Sequence, residues 1–179
     1  MKSKFLILVL AMVCWTCAAA KDSATENMNS SAGSATSATQ TGRGTATIDL
    51  DGRVSIDYGR PSLSGRNETE LLSRIQPGGE WRMGADADTR LTTEVPLKFG
   101  DKVVPKGAYV LRAKLVEPEK WALKLLDTNE AVVAEAPLKF QKVENSAEQM
   151  TITLEKTGNG GKFMLQWGKM TLTTDFQKG

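Results

Sequence analysis

Residues 109–116 read Tyr-Val-Leu-Arg-Ala-Lys-Leu-Val, and this stretch decides the fold class. The odd positions are apolar, whereas Arg112 and Lys114 stand between them at even positions. Side chains of a β-strand point alternately to the two faces of its sheet, so a period of two predicts a half-buried strand. Pro118 ends the run, because proline has no backbone N–H to donate to a neighbouring strand.

Alternating runs recur along the rest of the chain. They begin at Val54, Leu91, Trp121, Val132, Met150 and Phe163. Asp51-Gly52 and residues 158–161 are typical hairpin turns, and only residues 68–75 have helical spacing, after Asn67 as a possible N-cap. We therefore expect an all-β domain: an antiparallel β-sandwich or open barrel of about eight strands with one short helix.

The last alternating run changes its parity. Its apolar residues occupy odd positions up to Trp167 and even positions from Met170 onward. A shift of one residue turns every following side chain to the opposite face of the sheet. We therefore predict a bulge or a bend at Gly168. Trp121 and Trp167 fall in clean alternation and are expected in the core.

Residues 1–20 have the order of a secretory signal peptide: two lysines, an apolar run at residues 5–13, and small residues up to Ala20. The apolar run is shorter than the roughly 20 residues that span a bilayer. We expect cleavage after Ala20 and hence an exported chain, periplasmic or extracellular, with no transmembrane segment after processing. A lipid anchor on Cys17 is the alternative. Residues 21–42, rich in Ser, Thr and Ala, predict a flexible linker, and residues 43–179 a single domain.

Composition excludes several classes of chemistry. The chain has no histidine, and both of its cysteines, Cys14 and Cys17, precede the predicted cleavage point. No disulfide is therefore expected, and Ser-His-Asp or Cys-His catalysis and most zinc, copper and non-haem iron sites are excluded. Lys+Arg number 23 against 21 Asp+Glu, and cleavage removes Lys2 and Lys4, which leaves no net charge. We expect no cofactor, no metal and no nucleic-acid partner.

Two polar segments, residues 59–66 and 77–89, interrupt the alternation and contain the candidate site. Pro61 restricts the backbone, and Gly65 and Gly84 permit turns, so these loops have defined shapes. Arginines beside an aromatic ring suit recognition of a carboxylate, a phosphate or a sugar. The candidate ligand-binding residues are Arg60, Arg66, Trp81, Arg82, Asp86, Asp88 and Thr89.

A structural interpretation of the same residues stays open. The arginines would then pair with Asp86 and Asp88 and pin the two loops to the end of the sandwich, and Trp81 would belong to the core. Of the three arginines, we expect Arg60 and Arg82 to be structural. Arg66 is expected to be more exposed, because it follows a glycine and leads into polar residues.

The two segments resemble a bacterial family known only as domain of unknown function 2911. Its motif Arg-Pro-Ser-x-x-Gly-Arg is matched at residues 60–66, and Trp-Arg-Thr-Gly-Ala-Asn-x-Ala-Thr at residues 81–89, with Met83, Asp86 and Asp88 departing from it. A Leu-Pro-Ala-Gly-x-Tyr hairpin follows at residues 104–109, then a tryptophan strand at Trp121. The resemblance extends from Gly44 to Phe176 and implies an exported or lipid-anchored β-domain without an assigned activity.

Two functions are compatible with these residues. The first is a non-catalytic binding or interaction module of the bacterial envelope, whose partner is a small molecule, a sugar or an envelope protein. The second is a carbohydrate-active hydrolase or lyase of the envelope that uses Glu80, Asp86 or Asp88 as acid and base. Two carboxylates in a concave pocket would favour the enzyme, and an arginine-rich face would favour the module.

Overall fold

A computed structural model describes residues 42–179, which fall within one compact unit. The signal peptide and all but the last residue of the predicted linker lie outside the described residues. The strands are β1 (Arg43–Asp49), β2 (Arg53–Gly59), β3 (Glu80–Trp81), β4 (Arg90–Thr93), β5 (Leu97–Phe99), β6 (Lys102–Val104), β7 (Gly107–Glu117), β8 (Lys120–Leu126), β9 (Val132–Thr157) and β10 (Gly160–Lys178). The helix found in this part of the chain is α1 (Glu68–Leu72), and no helix there has the length and apolar character needed to cross a membrane.

All strand pairs are antiparallel, and the sheet is open. Its order is β1-β2-β4-β7-β8-β9-β10-β5-β6, with β3 added to β7. Strand β9 has 26 residues; it pairs with β8 as far as Leu138 and with β10 from Lys139 onward. Strand β9 therefore belongs to two halves of the sheet, one with β1, β2, β4, β7 and β8 and the other with β10, β5 and β6. The two halves fold over one another and share β9. The predicted all-β fold with one short helix is confirmed.

Within residues 42–179 the sheet has ten strands rather than about eight. The alternating run from Leu91 to Phe99 is two strands, because the chain leaves β4 after Thr93 and enters the other half of the sheet as β5. Pro96 lies at this crossing. Conversely, the two runs that begin at Val132 and Met150 are parts of the single strand β9.

The core lies between the two halves of the folded sheet. Val54, Ile56 and Tyr58 of β2 are buried, as their alternation predicts. They face the second half, where the Tyr58 hydroxyl donates to the Ile152 carbonyl at 3.2 Å. Burying a Leu, Ile or Phe side chain contributes about 1.5–3 kcal/mol, so the alternating apolar positions supply most of the driving force.

A bulge in β10 lies against the first turn of helix α1. The pairing of β10 with β9 shifts on both sides of Gly168, which adopts φ +59°. The predicted bulge is therefore confirmed. A Cβ atom at Gly168 would overlap the carboxylate of Glu68 in the first turn of α1. Asn67 caps the helix by accepting from the Glu70 N–H at 2.8 Å, as predicted.

Candidate functional site

Arg60 joins the end of β2 to β9. Its guanidinium donates from Nε to the Met150 carbonyl at 3.3 Å and from Nη2 to the Thr151 hydroxyl at 3.2 Å. Its backbone N–H also donates to the Gly42 carbonyl. Arg60 is half-buried and structural, as expected, but its partners are a carbonyl and a hydroxyl group rather than Asp86 or Asp88.

Residues after Arg60 are also tied to β9. The carboxylate of Glu148 accepts from the Ser62 hydroxyl and from the Ser64 N–H, and these hydrogen bonds hold the pKa of Glu148 below its ordinary value. Arg66 is exposed, and its Nε donates to the Leu63 carbonyl three residues earlier at 3.2 Å. The greater exposure expected of Arg66 relative to Arg60 is confirmed. The Arg66 guanidinium binds only within its own loop, at the Leu63 carbonyl.

The segment 81–89 folds around two side chains that are fully buried. Met83 and Thr89 are both 0% exposed, and the Thr89 hydroxyl donates to the Met83 carbonyl at 2.7 Å. The backbone has positive φ at Met83 and Asp86, a conformation that is uncommon in residues other than glycine. A Cβ atom at Gly59 would overlap the backbone of Ala85, so this turn packs directly on the end of β2. Thr89 therefore has a structural role.

Two ion pairs clamp residues 80–88 onto strands β7 and β8. Arg112 and Lys124 are directly opposite each other in the register, and two like charges in such positions repel. Glu80 pairs with Lys124, and Asp88 pairs with Arg112 at 2.9 Å between Oδ1 and Nη1. Each carboxylate thus neutralises one of the two opposed cations.

Arg82 is exposed rather than buried, against the expectation that it is structural in the same sense as Arg60. Its Nη1 donates to the backbone carbonyl of Asp86 at 3.1 Å, across the tight turn. The carboxylate partner of Arg112 is Asp88, so the predicted pairing of Asp88 with an arginine of the two motifs is wrong. Sequence reasoning missed Arg112, because it occupies an ordinary polar position of an alternating strand.

Three tryptophans form a cluster beside this turn. The Trp81 ring is stacked on Trp167 with 5.8 Å between the centroids, and it meets the edge of Trp121 at 6.4 Å. Trp121 and Trp167 are 6% and 5% exposed, so their predicted place in the core is confirmed. Trp81 is half-buried and packs against the core from its edge. The interpretation of Trp81 as a core residue is therefore confirmed in part, and its role as a ligand contact stays a prediction.

A cleft of about 470 Å³ opens next to this cluster, and we call it the tryptophan–arginine cleft. Its lining residues are Leu71, Leu72, Ile75, Glu80, Trp81, Arg82, Arg112 and Trp167. Two of these residues carry a donor atom that is buried from solvent and has no aligned hydrogen-bond acceptor among the described residues: Arg112 Nη1 and Trp167 Nε1. The contact between Arg112 and Asp88 is an ion pair at short distance without the alignment of a hydrogen bond.

The cleft brings together only part of the predicted site. Trp81 and Arg82 line it directly, and Asp88 holds Arg112 from behind. Arg60, Arg66, Asp86 and Thr89 do not line it. Sequence reasoning did not identify Arg112 and Trp167 as lining residues of this cleft. Both lie in alternating strands, and alternation predicts only which face of the sheet a side chain occupies.

A second cleft, of about 390 Å³, also borders the α1 segment and shares Leu72 and Ile75 with the first. Its base is apolar, with Leu115, Trp121 and Phe140, and the ion pair of Lys142 with Glu119 stands on its lining. Its lining contains no arginine, so it lacks the guanidinium groups of the first cleft.

The fold and the two motif segments define an open antiparallel β-sandwich domain with a cleft lined by β3, β7, β10 and the α1 segment. The family model described as "Protein of unknown function (DUF2911)" matches residues 40–176, and the chain belongs to this family. The resemblance seen in the sequence motifs is thereby confirmed. Neither a curated protein nor a solved structure matches the chain.

Proposed function

We propose that the protein is an exported, non-catalytic binding module of the bacterial envelope, and that its ligand lies in the tryptophan–arginine cleft. The observation that carries this proposal is that one cleft is lined by the rings of Trp81 and Trp167 together with the side chains of Arg82 and Arg112. Guanidinium groups donate hydrogen bonds and cannot accept them, so a ligand with acceptor atoms suits this lining.

The surroundings of the cleft suit binding as well. Trp81 contributes a half-buried ring beside the donors, and aromatic side chains supply a large contact area at low entropic cost. The tight turn at residues 83–89 is fixed by buried Met83 and Thr89. The residues that would meet a ligand are therefore held by rigid neighbours, which lowers the cost of ordering them on binding.

The ion pairs favour a binding module over the alternative of a carbohydrate-active hydrolase or lyase. Of the candidate acid–base residues, Glu80 pairs with Lys124 and Asp88 pairs with Arg112. Both carboxylates hold basic side chains of adjacent strands in place, which is the role of structural ion pairs. The third candidate, Asp86, accepts a hydrogen bond from Arg82 through its backbone carbonyl.

A ligand screen with a chemical readout tests this function. The purified domain is heated in the presence of sugars, organic acids and peptides, and each mixture is then inspected by NMR for conversion. We expect at least one compound to raise the melting temperature; a ligand at about 100 times its Kd adds about 2.7 kcal/mol of stability. The shift should be lost in Trp81→Ala and kept in Trp81→Phe. Conversion of the bound compound into a product would instead support the enzyme.

Export rests on the N-terminal sequence and has its own test. Mass spectrometry of the chain recovered from the expressing cells should find an N-terminus at Lys21 without lipid, because Ala20 and the small residues before it suit soluble cleavage. A diacylglyceryl group on Cys17 would replace this proposal by a lipid-anchored one. A chain that keeps Met1 and stays with the cytoplasmic fraction would contradict export.

A further inference from the structure

The α1 segment, residues 66–77, is a common wall of two clefts. Its Leu72 and Ile75 line both the tryptophan–arginine cleft and the second cleft. Rings of the tryptophan cluster line both clefts as well: Trp81 lines the first, Trp121 lines the second, and these two rings meet edge to face. The segment therefore borders two spaces whose aromatic linings are already in contact.

The hydrogen bonds of this segment are local. In the part of the chain that the structure describes, residues 67–75 make hydrogen bonds only among themselves. At the two ends, Arg66 donates to the Leu63 carbonyl, and the Gln76 carbonyl accepts from the Gly79 N–H. Because no hydrogen bond joins the middle of the segment to the sheet, none has to break when the segment moves away from it.

A few side-chain contacts keep the segment in place instead. Leu71, Leu72 and Ile75 are half-buried and pack against the core, and the carboxylate of Glu68 occupies the space beside Gly168. Helix α1 has only five residues, none of them buried, and a helix of that length is not stable without tertiary contacts. A segment held by a few half-buried side chains opens at a lower free energy than the core strands do.

Both ends of the segment combine a fixed point with a glycine. Before it, the Leu63 N–H donates to the Glu148 carbonyl of β9 at 2.9 Å; after it, the Gly78 N–H donates to the Leu115 carbonyl of β7 at 2.7 Å. Gly65 and Gly78 adopt φ +78° and +89°, and apart from the adjoining residues no atom lies within 4 Å of where a Cβ would be. A glycine changes φ with little strain, so the chain can turn at these two positions while its ends stay attached to the sheet.

We infer that the α1 segment is a hinged cover, which opens about Gly65 and Gly78 and joins the two clefts into one groove. In the closed arrangement Trp121 and Trp167 are 6% and 5% exposed, and only Trp81 is half-buried. Opening exposes more of these rings, and aromatic rings provide a large contact area for a ligand. The movement needs no ligand; its use in admitting one rests on the binding function proposed above.

The test measures the reactivity of a single thiol. The chain from Lys21 onward contains no cysteine, so iodoacetamide labels only a cysteine that is introduced. Met170→Cys places it on the lining of the second cleft, at a residue that is 3% exposed, and Val54→Cys places it at a residue of β2 that is 0% exposed and lines neither cleft. Each labelling rate is divided by the rate of the same variant unfolded in urea. We expect Met170→Cys to react at least about tenfold faster than Val54→Cys, because local opening costs less than global unfolding.

Hinge variants show whether this opening belongs to the cover. Adding Gly78→Ala to Met170→Cys should raise the labelling rate about five- to thirtyfold, because an alanine at positive φ strains the closed arrangement and relaxes in the open one. Gly65→Ala should act in the same direction. Gly158→Ala is the matched control: Gly158 has φ +57° and equally open surroundings, but it lies in the turn between β9 and β10. Its strain is the same whether the cover is closed or open, so labelling at position 170 should not change.

Hydrogen exchange gives a second measurement if Met170→Cys fails to fold. The amides of Leu71, Ser73 and Ile75 donate within the segment and should share one opening free energy, since a cover moves as a unit. Their exchange should accelerate together in Gly78→Ala and should stay unchanged in Gly158→Ala.

The outcomes decide the cover without reference to any ligand. Equal labelling of Met170→Cys and Val54→Cys would mean that the cleft opens only when the whole chain unfolds, and would overturn the inference. Fast labelling of Met170→Cys that ignores Gly78→Ala and Gly65→Ala, or that responds equally to Gly158→Ala, would assign the opening to β10 and would overturn it as well. In either case the ligand screen would decide the proposed function alone.

Discussion

Residues 60–66 and residues 81–89 have similar compositions, with arginine, glycine and small polar side chains, yet they attach to the sheet in different ways. In the first segment the arginine itself is the anchor: Arg60 reaches across to β9 and binds its backbone and a hydroxyl. In the second segment Arg82 is exposed, and the anchors are buried Met83 and Thr89 together with the carboxylate of Asp88.

This difference accompanies a second one: the segment 81–89 borders the tryptophan–arginine cleft and the segment 60–66 does not. Where the guanidinium is used to hold the chain, as at Arg60, it is occupied by protein partners. Where apolar and hydroxyl groups hold the chain, as at Met83 and Thr89, the exposed Arg82 borders the cleft. The contrast between the two segments can be tested by removing the anchors one at a time.

The largest effect is expected from the apolar anchor of the second segment. Met83→Ala removes a side chain that is 0% exposed, which should lower the free energy of unfolding by about 2–5 kcal/mol in urea titrations. The matched control is Met164→Ala on β10, where the side chain is half-buried and the loss should be smaller. A loss below about 0.5 kcal/mol, typical of surface positions, would mean that the turn does not depend on Met83.

The hydroxyl anchor should contribute less than the apolar one. Thr89→Val keeps the shape of the side chain and removes the donor to the Met83 carbonyl, so a buried acceptor loses its partner. We expect unfolding free energy to fall by about 1–3 kcal/mol. Thr92→Val, at an exposed position of β4, controls for the change in β-propensity. Equal effects of the two variants would contradict a structural role for the Thr89 hydroxyl.

The three arginines allow a direct test of the contrast between the segments. Arg60→Ala removes two side-chain hydrogen bonds to β9 and should cost about 1–2 kcal/mol of unfolding free energy. Arg66→Ala and Arg82→Ala remove exposed side chains and should stay within about 0.5 kcal/mol. A large loss for Arg66→Ala, with none for Arg60→Ala, would reverse the assignment.

The fold could be predicted from the sequence because its signals are local. The period of two around Leu111, the turn at Asp51-Gly52 and the parity change at Gly168 each depend on neighbouring residues, and each is present in the structure. The split of the run between Leu91 and Phe99 could not be predicted, because alternation continues through Pro96 while the chain changes to the other half of the sheet.

Of the four aromatic and arginine side chains that line the cleft, the sequence indicated Trp81 and Arg82 but not Arg112 and Trp167. Trp81 and Arg82 belong to a polar segment that breaks the alternation and therefore attracts notice. Arg112 and Trp167 belong to regular strands, and their position beside that segment depends on pairings between residues far apart in sequence. The two opposed cations, Arg112 and Lys124, become a signal only after the register of β7 and β8 is known.

The smallest effect is expected at the first segment, where Glu148 holds the loop after Arg60 by accepting from Ser62 and Ser64. These hydrogen bonds lower the pKa of Glu148 from 4.5 in the folded chain, so the folded state favours the ionised form. The stabilisation is therefore fully present above about pH 5 and is lost as the pH falls through the lowered pKa of the folded state. Because Glu148 is exposed, the contribution is small.

The variant Glu148→Gln isolates this contribution, since the amide oxygen can still accept from Ser62 and Ser64 but does not titrate. The difference in unfolding free energy between wild type and Glu148→Gln should be largest near pH 7 and should disappear on acidification to about pH 3. Glu144→Gln, an exposed substitution on the same strand, should show no such convergence. If the Glu148→Gln difference instead grew in acid, the carboxylate would be repelled rather than held in the folded chain. The loop after Arg60 would then depend on the Arg60 guanidinium and the backbone hydrogen bond between Leu63 and Glu148.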